Sequence, residues 1–324
     1  MAHAGYRHSL VAYCLLGALV IAGTQTATAK PGNRSSSPLP AAEPLEILPS
    51  GHPVVQVSID GSAPKRFVID TAASSTTIMP KLRAAMPGLV VKDSGAPLDG
   101  ASGRTHVETT VVGQLQIAGH VFRSPELLLL PPGPTDRLGI DGILGADIIA
   151  DFAVEMDLPG RNWRMTPKVE AGMLDGLSAS APFTLDAQRA PRLTIRINGI
   201  EMPAVLDTGA RGTIVNWAGA KAIGLTPDSP GLAKVSDIKG ATNHATASVE
   251  TRLTTLTIGE AEVEAPKIRI ADLSVFKVLG FGAEQPAVIL GIDMFADRRL
   301  VIDHPGLRLH VSPPTAPRAA TPQS

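Results

Sequence analysis

One pattern occurs twice in this 324-residue chain, and that repetition constrains its fold more than any other feature. In the first copy, Val54-Val55-Gln56-Val57-Ser58-Ile59 alternates as a half-buried strand does. Asp60-Gly61 supplies a hairpin turn, and Arg66-Phe67-Val68-Ile69 returns into Asp70-Thr71-Ala72-Ala73-Ser74. In the second copy, Leu193-Thr194-Ile195-Arg196-Ile197 alternates in the same way, Asn198-Gly199 is the turn, and Ala204-Val205-Leu206 leads into Asp207-Thr208-Gly209-Ala210-Arg211. Each Asp-Thr element is followed by β-branched residues, Thr76-Thr77-Ile78 and Thr213-Ile214-Val215. A Gly-centred turn comes roughly thirty residues after each aspartate: Gly100-Ala101-Ser102-Gly103 and Lys239-Gly240-Ala241. Alternating stretches follow (Leu115 to Gly119, Leu256 to Gly259), then an apolar pair with glycine, Ile143-Leu144-Gly145 and Ile289-Leu290-Gly291. A turn role for aspartate does not by itself call for Asp-Thr after three apolar strand residues in both copies.

The surrounding sequence sets the frame. A length of 324 residues allows about two domains. Glycine at 31 and proline at 28 residues break the chain into short segments, which favours a β-rich fold over long helices. Only eleven residues are aromatic, so the core must be built from Val, Ile, Leu and Ala. A net charge of −1 with no long basic run argues against nucleic acid as a partner. The apolar run Ser9 to Gly23 is 15 residues long, the length of a secretory leader and shorter than the ~20 residues of a membrane span. Ala27-Thr28-Ala29 follows as a small-residue cleavage pattern. The expectation is a signal peptide at 1–29, a protein exported to the periplasm or secreted, and no membrane span after cleavage. Cys14 is the single cysteine and lies inside the leader, so disulfides and a cysteine nucleophile are excluded from the mature chain. Flexible segments are expected at 30–50 and 313–324, both rich in proline and small residues. The two copies then become lobes at 51–168 and 183–312, joined by a linker at 169–182.

At these residues the chain resembles the retropepsin-like and pepsin-like aspartic proteases: an apolar strand, Asp-Thr-Gly-Ala, a Gly-rich hairpin, then Ile-Leu-Gly. Asp207-Thr208-Gly209-Ala210 matches the motif as the family writes it, and the likeness runs from about 51 to 312. With short lobes, no mature cysteine and a leader, the chain looks like the bacterial retropepsin-like group, with both lobes in one chain. The resemblance implies a mostly-β protein of two similar retropepsin-like β-barrel lobes forming a bilobal acid-protease fold. It implies that Asp70 and Asp207 face each other across a cleft and activate a water between two carboxyls that share one proton. It implies that Thr71 and Thr208 cross-link the two loops, that Ile143-Leu144-Gly145 and Ile289-Leu290-Gly291 lie beneath them, and that the turns at Gly100-Ala101-Ser102-Gly103 and Lys239-Gly240-Ala241 are flaps over the substrate. The implied partner is a peptide or unfolded protein, no cofactor or metal takes part, and a monomer suffices for the site. Ala72 departs from the family, which usually has glycine there. A methyl in that place crowds the partner loop, so a catalytically weak or inactive peptide-binding protein on the same scaffold is the alternative. A third class, a self-associating module, predicts no open groove.

No zinc-protease helix motif, phosphate-binding glycine loop or serine-nucleophile elbow is present. The eight histidines are scattered without ligand spacing and read as surface residues. Asp147 and Asp293 read as caps of short helices, one near each Ile-Leu-Gly.

Overall fold

The computed structural model describes residues 39–101, 103–240 and 244–315, together with the pair Tyr13–Cys14. Ser102, Ala241 and nearly all of the leader therefore lie outside the described residues. Each lobe begins with the hairpin expected from the sequence. Pro53–Ile59 pairs antiparallel with Lys65–Ile69, and Pro191–Ile197 with Ile200–Asp207. Both turns need positive φ at two successive residues, and Asp60 (49°), Gly61 (71°), Asn198 (49°) and Gly199 (82°) supply it.

The strand carrying Ile-Leu-Gly then returns to the aspartate strand. Gly142–Leu144 runs parallel to Lys65–Ile69 and antiparallel to Thr77–Ile78; Val288–Gly291 sits in the same way between Ile200–Asp207 and Ile214–Val215. A parallel neighbour cannot be reached by a tight turn. The intervening chain is spent on a long hairpin over the lobe, Val91–Gly100 with Gly103–Val111 in the first and Ala233–Lys239 with Ala245–Arg252 in the second. Each hairpin contains a register shift, and Pro97 borders the first of them.

A third sheet joins the lobes. Its strands run in the order Ala179–Pro182, Arg308–Val311, Arg299–Asp303, Ala153–Asp157, Asn162–Thr166, Glu43–Pro44. The central pair, Ala153–Asp157 with Arg299–Asp303, takes one strand from the end of each copy. One apolar core runs through both copies and includes Ile69, Trp163, Leu206 and Phe295.

Three boundaries differ from the expectation. Part of the segment expected as a tether is folded: Glu43–Pro44 and Glu46–Ile47 pair with sheet edges, and Leu45 and Leu48 are buried. Two leucines give this stretch an apolar area that a proline-rich composition hides. The expected linker 169–182 ends in the edge strand Ala179–Pro182, and Thr315, in the expected tail, donates its N–H to Asp297 O at 2.8 Å. Short helices are also more numerous than one per lobe. Besides Ala146–Ile149, Pro80–Ala85 and Trp217–Ala222 occupy matching places after each motif, and Ser274–Val278 stands where the first lobe has the 3-10 helix Pro134–Leu138; the second Ile-Leu-Gly is followed by a 3-10 turn, Ile292–Phe295. No helix among the described residues is long and apolar enough to cross a membrane.

Candidate active site

The fold brings Asp70 and Asp207 together, one from each lobe. Asp70 directly follows its strand, its N–H donating to Leu144 O at 3.0 Å, and Asp207 ends its own. The carboxyls are 0% and 1% exposed and a side-chain hydrogen bond links them. Burial, then the charge of Asp70, holds the pKa of Asp207 well above the usual carboxylate value, while the amides of Ala210 and Gly209 act against the shift. Two acids in contact in a dry site cannot both ionise cheaply, so the pair retains a proton into a pH range where isolated carboxyls have lost theirs.

The loops are tied by a reciprocal set of four bonds. Thr71 Oγ1 donates to Leu206 O (2.7 Å) and accepts from Thr208 N–H (3.1 Å); Thr208 Oγ1 donates to Ile69 O (2.8 Å) and accepts from Thr71 N–H (3.2 Å). Both threonines are fully buried. Each hydroxyl thus fixes the backbone beside the other lobe's aspartate.

Gly209 and Ala72 hold equivalent positions in unequal surroundings. A Cβ at Gly209 would overlap the carboxyl of Asp70, so glycine is required there. In the first loop Ala72 is accommodated, buried, with its N–H and that of Ala73 donating to Asp70 Oδ1 at 3.0 and 2.8 Å. The counterparts in the second loop, the amides of Gly209 and Ala210, likewise lie against the Asp207 carboxyl.

Ile-Leu-Gly packs under each loop. A Cβ at Gly145 would come within 2.5 Å of Ser75 C, and one at Gly291 within 2.7 Å of Gly212 C, so backbone meets backbone at both places. The expectation that Asp147 and Asp293 cap helices is corrected. The cap positions are the glycines, and the two aspartates instead hold threonines of the motif loops. Thr76 Oγ1 donates to Asp147 Oδ1 (2.8 Å) and accepts from Gly145 N–H (3.1 Å). Thr213 Oγ1 donates to Asp293 Oδ1 (2.9 Å) and accepts from Gly291 N–H (3.0 Å). These four residues are part of the site's scaffold, and a repeated spacing marks them: threonine six residues after each motif aspartate, aspartate two after each glycine.

Burial, opposed by the bonds to Thr76 and Thr213, raises both scaffold carboxyls to about 6 from 3.8. Between those values the folded chain keeps a proton that the unfolded chain releases. Their contribution to stability is therefore complete below 3.8 and lost as pH rises through about 6. Relative to the parent protein, Asp147→Asn/Asp293→Asn is expected to gain up to about 3 kcal/mol per carboxyl between about pH 4 and about pH 7. Urea midpoints of the two proteins across that range check it, and parallel midpoints refute it. The comparison cancels the opposite contribution of His52 and His304, whose pKa values burial lowers to about 4 in parent and variant alike.

The expected flap residues lie at the tips of two hairpins, one from each lobe. A Cβ at Gly103 would overlap the ring of His244, so the tips of the two hairpins meet. The first tip reaches further: Ala101, fully buried beside the buried Gly100, accepts at its carbonyl from Val275 N–H (3.3 Å) and Ser274 Oγ (3.2 Å). Ser274 and Val275 begin the helix Ser274–Val278, and no sequence signal marks them. Gly240 is buried and Lys239 exposed in the second flap. The histidines expected at the surface include two that are not: His52 and His304 are 6% and 2% exposed. His52 lies against the second aspartate loop, within hydrogen-bond reach of the Gly209 backbone, with Nδ1 2.7 Å from Ser50 Oγ. Among the described residues no cluster of His, Cys, Asp and Glu is placed to hold a metal ion.

The family comparison agrees with this geometry. A family model described as aspartyl protease matches the chain twice, over residues 55–148 and 193–294, and each match contains one Asp-Thr loop and one Ile-Leu-Gly. No curated protein matches the chain. Among solved structures, the aspartic proteinase from Irpex lacteus is similar over 86% of this chain and 98% of its own, with 13% identity and a TM-score of 0.48. With more than half of its length matched in two internal copies, the chain belongs to the aspartyl protease family.

Proposed function

We propose that the protein is an exported aspartic endopeptidase that hydrolyses peptide bonds with a water activated between Asp70 and Asp207. The observation that carries this reading is the pair of buried, hydrogen-bonded carboxyls held at the lobe junction by the reciprocal threonine bonds. In the singly protonated pair, the ionised carboxyl takes a proton from water as it attacks the carbonyl carbon, and the protonated one donates to the carbonyl oxygen. The proton then passes to the departing amine. Thr71, Ala72, Thr208 and Gly209 hold the loops in this role, and the flaps exclude bulk water. The leader expected at 1–29 supports export to the periplasm or outside the cell. One chain supplies both carboxyls, so a monomer completes the site.

Because the upper pKa of the pair is raised, cleavage of an unfolded protein is expected in acid and to extend above the ordinary carboxylate range before falling. A statine-type transition-state peptide is expected to block it. A rate that only rises with pH, or indifference to that inhibitor, overturns the proposal. A second reading, peptide binding without turnover, is favoured by one observation: the first motif loop carries Ala72 at the position that Gly209 holds in the second. Tight binding of an unfolded peptide with no cleavage at any pH would select it.

A further inference from the structure

A cavity of about 310 Å³ opens beside the second aspartate loop, with Gly209, Ala210, Arg211 and Gly212 along one wall. Residues from the second flap, Ile238 to Gly240, line it as well. It is adjacent to the reacting pair, since Gly209 packs against the carboxyl of Asp70. Its charge is lopsided. Arg137, Arg211, Lys239 and Arg269 line it, against the single acid Asp237. The side chains of Arg137, Arg211 and Lys239 make no hydrogen bond or ion pair among the described residues, and Arg269 spends its donors on Ser236. Like charge from Arg211 adds to burial in lowering the pKa of Arg269, with Glu250 and Asp237 opposing. The two motif loops also differ at this point: Ser74 follows the first Asp-Thr-x-Ala, and Arg211 the second.

We propose that this cavity is the subsite for an acidic side chain of the bound peptide, with Arg211 as the residue that selects it. The inference rests on the protease reading for the position of the peptide. A Glu or Asp carboxylate entering here meets guanidinium donors that have no protein partner, a geometry in which arginine binds carboxylate with paired bonds. Ile214 and Ile238 cover the methylene stem. Since Ser74 offers no charge at the matching place in the first lobe, the preference falls on one side of the scissile bond only.

The test separates specificity from turnover. Labelled peptides differing only by Glu, Gln or Lys at one scanned position are titrated against Asp70→Asn protein by fluorescence anisotropy. At one position Glu is expected to bind about 5- to 10-fold tighter than Gln. The gap should close in Asp70→Asn/Arg211→Gln and reverse in favour of Lys in Asp70→Asn/Arg211→Glu. Wild-type kcat/KM on the same peptides gives the second readout. Cleavage without a Glu preference ends the subsite and leaves the protease. A Glu preference that Arg211 controls, with no cleavage, ends the protease and leaves the subsite. Equal binding of Glu and Gln, or no binding of either, overturns the inference.

Discussion

Asp207→Asn is expected to lower kcat/KM on an unfolded protein substrate by on the order of 10³-fold or more, while making the protein no less stable. The loss follows from the shared proton: an amide neither accepts a proton from water nor supplies the ionised partner that Asp70 needs. The stability half follows from the sign of the pKa shift. Asp207 is raised well above its ordinary value, first by burial and then by Asp70, so its contribution to folding is present below the unfolded pKa and lost as pH rises through the raised one. Asparagine has no such loss. The variant is therefore expected to match the parent in acid and to exceed it increasingly toward alkaline pH, by denaturant midpoint. Asp70→Asn should share the loss of activity. A merely structural aspartate predicts the reverse, a destabilised protein with proportionate activity. Residual activity near the parent's with either variant would end the dyad mechanism.

The duplicated core was legible because it is built from local signals that repeat. Asp60-Gly61 and Asn198-Gly199 can each take positive φ at two successive positions, and the alternation on either side fixes which face is buried. Asp70, Asp207, Thr71 and Thr208 were found for the same reason: the second copy restates the first. Features that depend on non-repeated contacts were not legible. The helix Ser274–Val278 receives the flap tip only because Ala101 arrives from the other lobe, 173 residues away in sequence from Ser274. Leu45 looked like part of a tether because it docks at Arg161 and beside the edge at Asn162–Trp163, formed much later in the chain. Asp147 and Asp293 were assigned a local role, capping, when their partners are threonines 71 and 80 residues distant. In each case a side chain suited to a local role is recruited by a distant partner, and a pattern read within a short window favours the local one.

The second large effect is expected at the threonine cross-link. Thr71→Val keeps the shape of the side chain but leaves Leu206 C=O and Thr208 N–H buried without partners, at about 1–3 kcal/mol for each group. A destabilisation of about 2–5 kcal/mol is expected from Thr71→Val, and a similar one from Thr208→Val, whose hydroxyl serves Ile69 O and Thr71 N–H. Stability alone would not distinguish positioning from packing; the pH profile does. The raised pKa of Asp207 depends partly on Asp70 lying in contact with it. Loosening the loops lets the carboxyls separate, weakens their repulsion in the doubly ionised state and brings the upper limb of the activity profile down toward the ordinary carboxylate range. Under conditions where the variant is fully folded, kcat is expected to fall more than KM rises, with the profile displaced to lower pH. Thr71→Ser retains the hydroxyl and should restore both the profile and most of the stability. A Thr71→Val enzyme that is less stable but has the parent's pH profile would show that the hydroxyls only hold the lobes together; the position of the upper limb measures whether they also set the distance between the two acids.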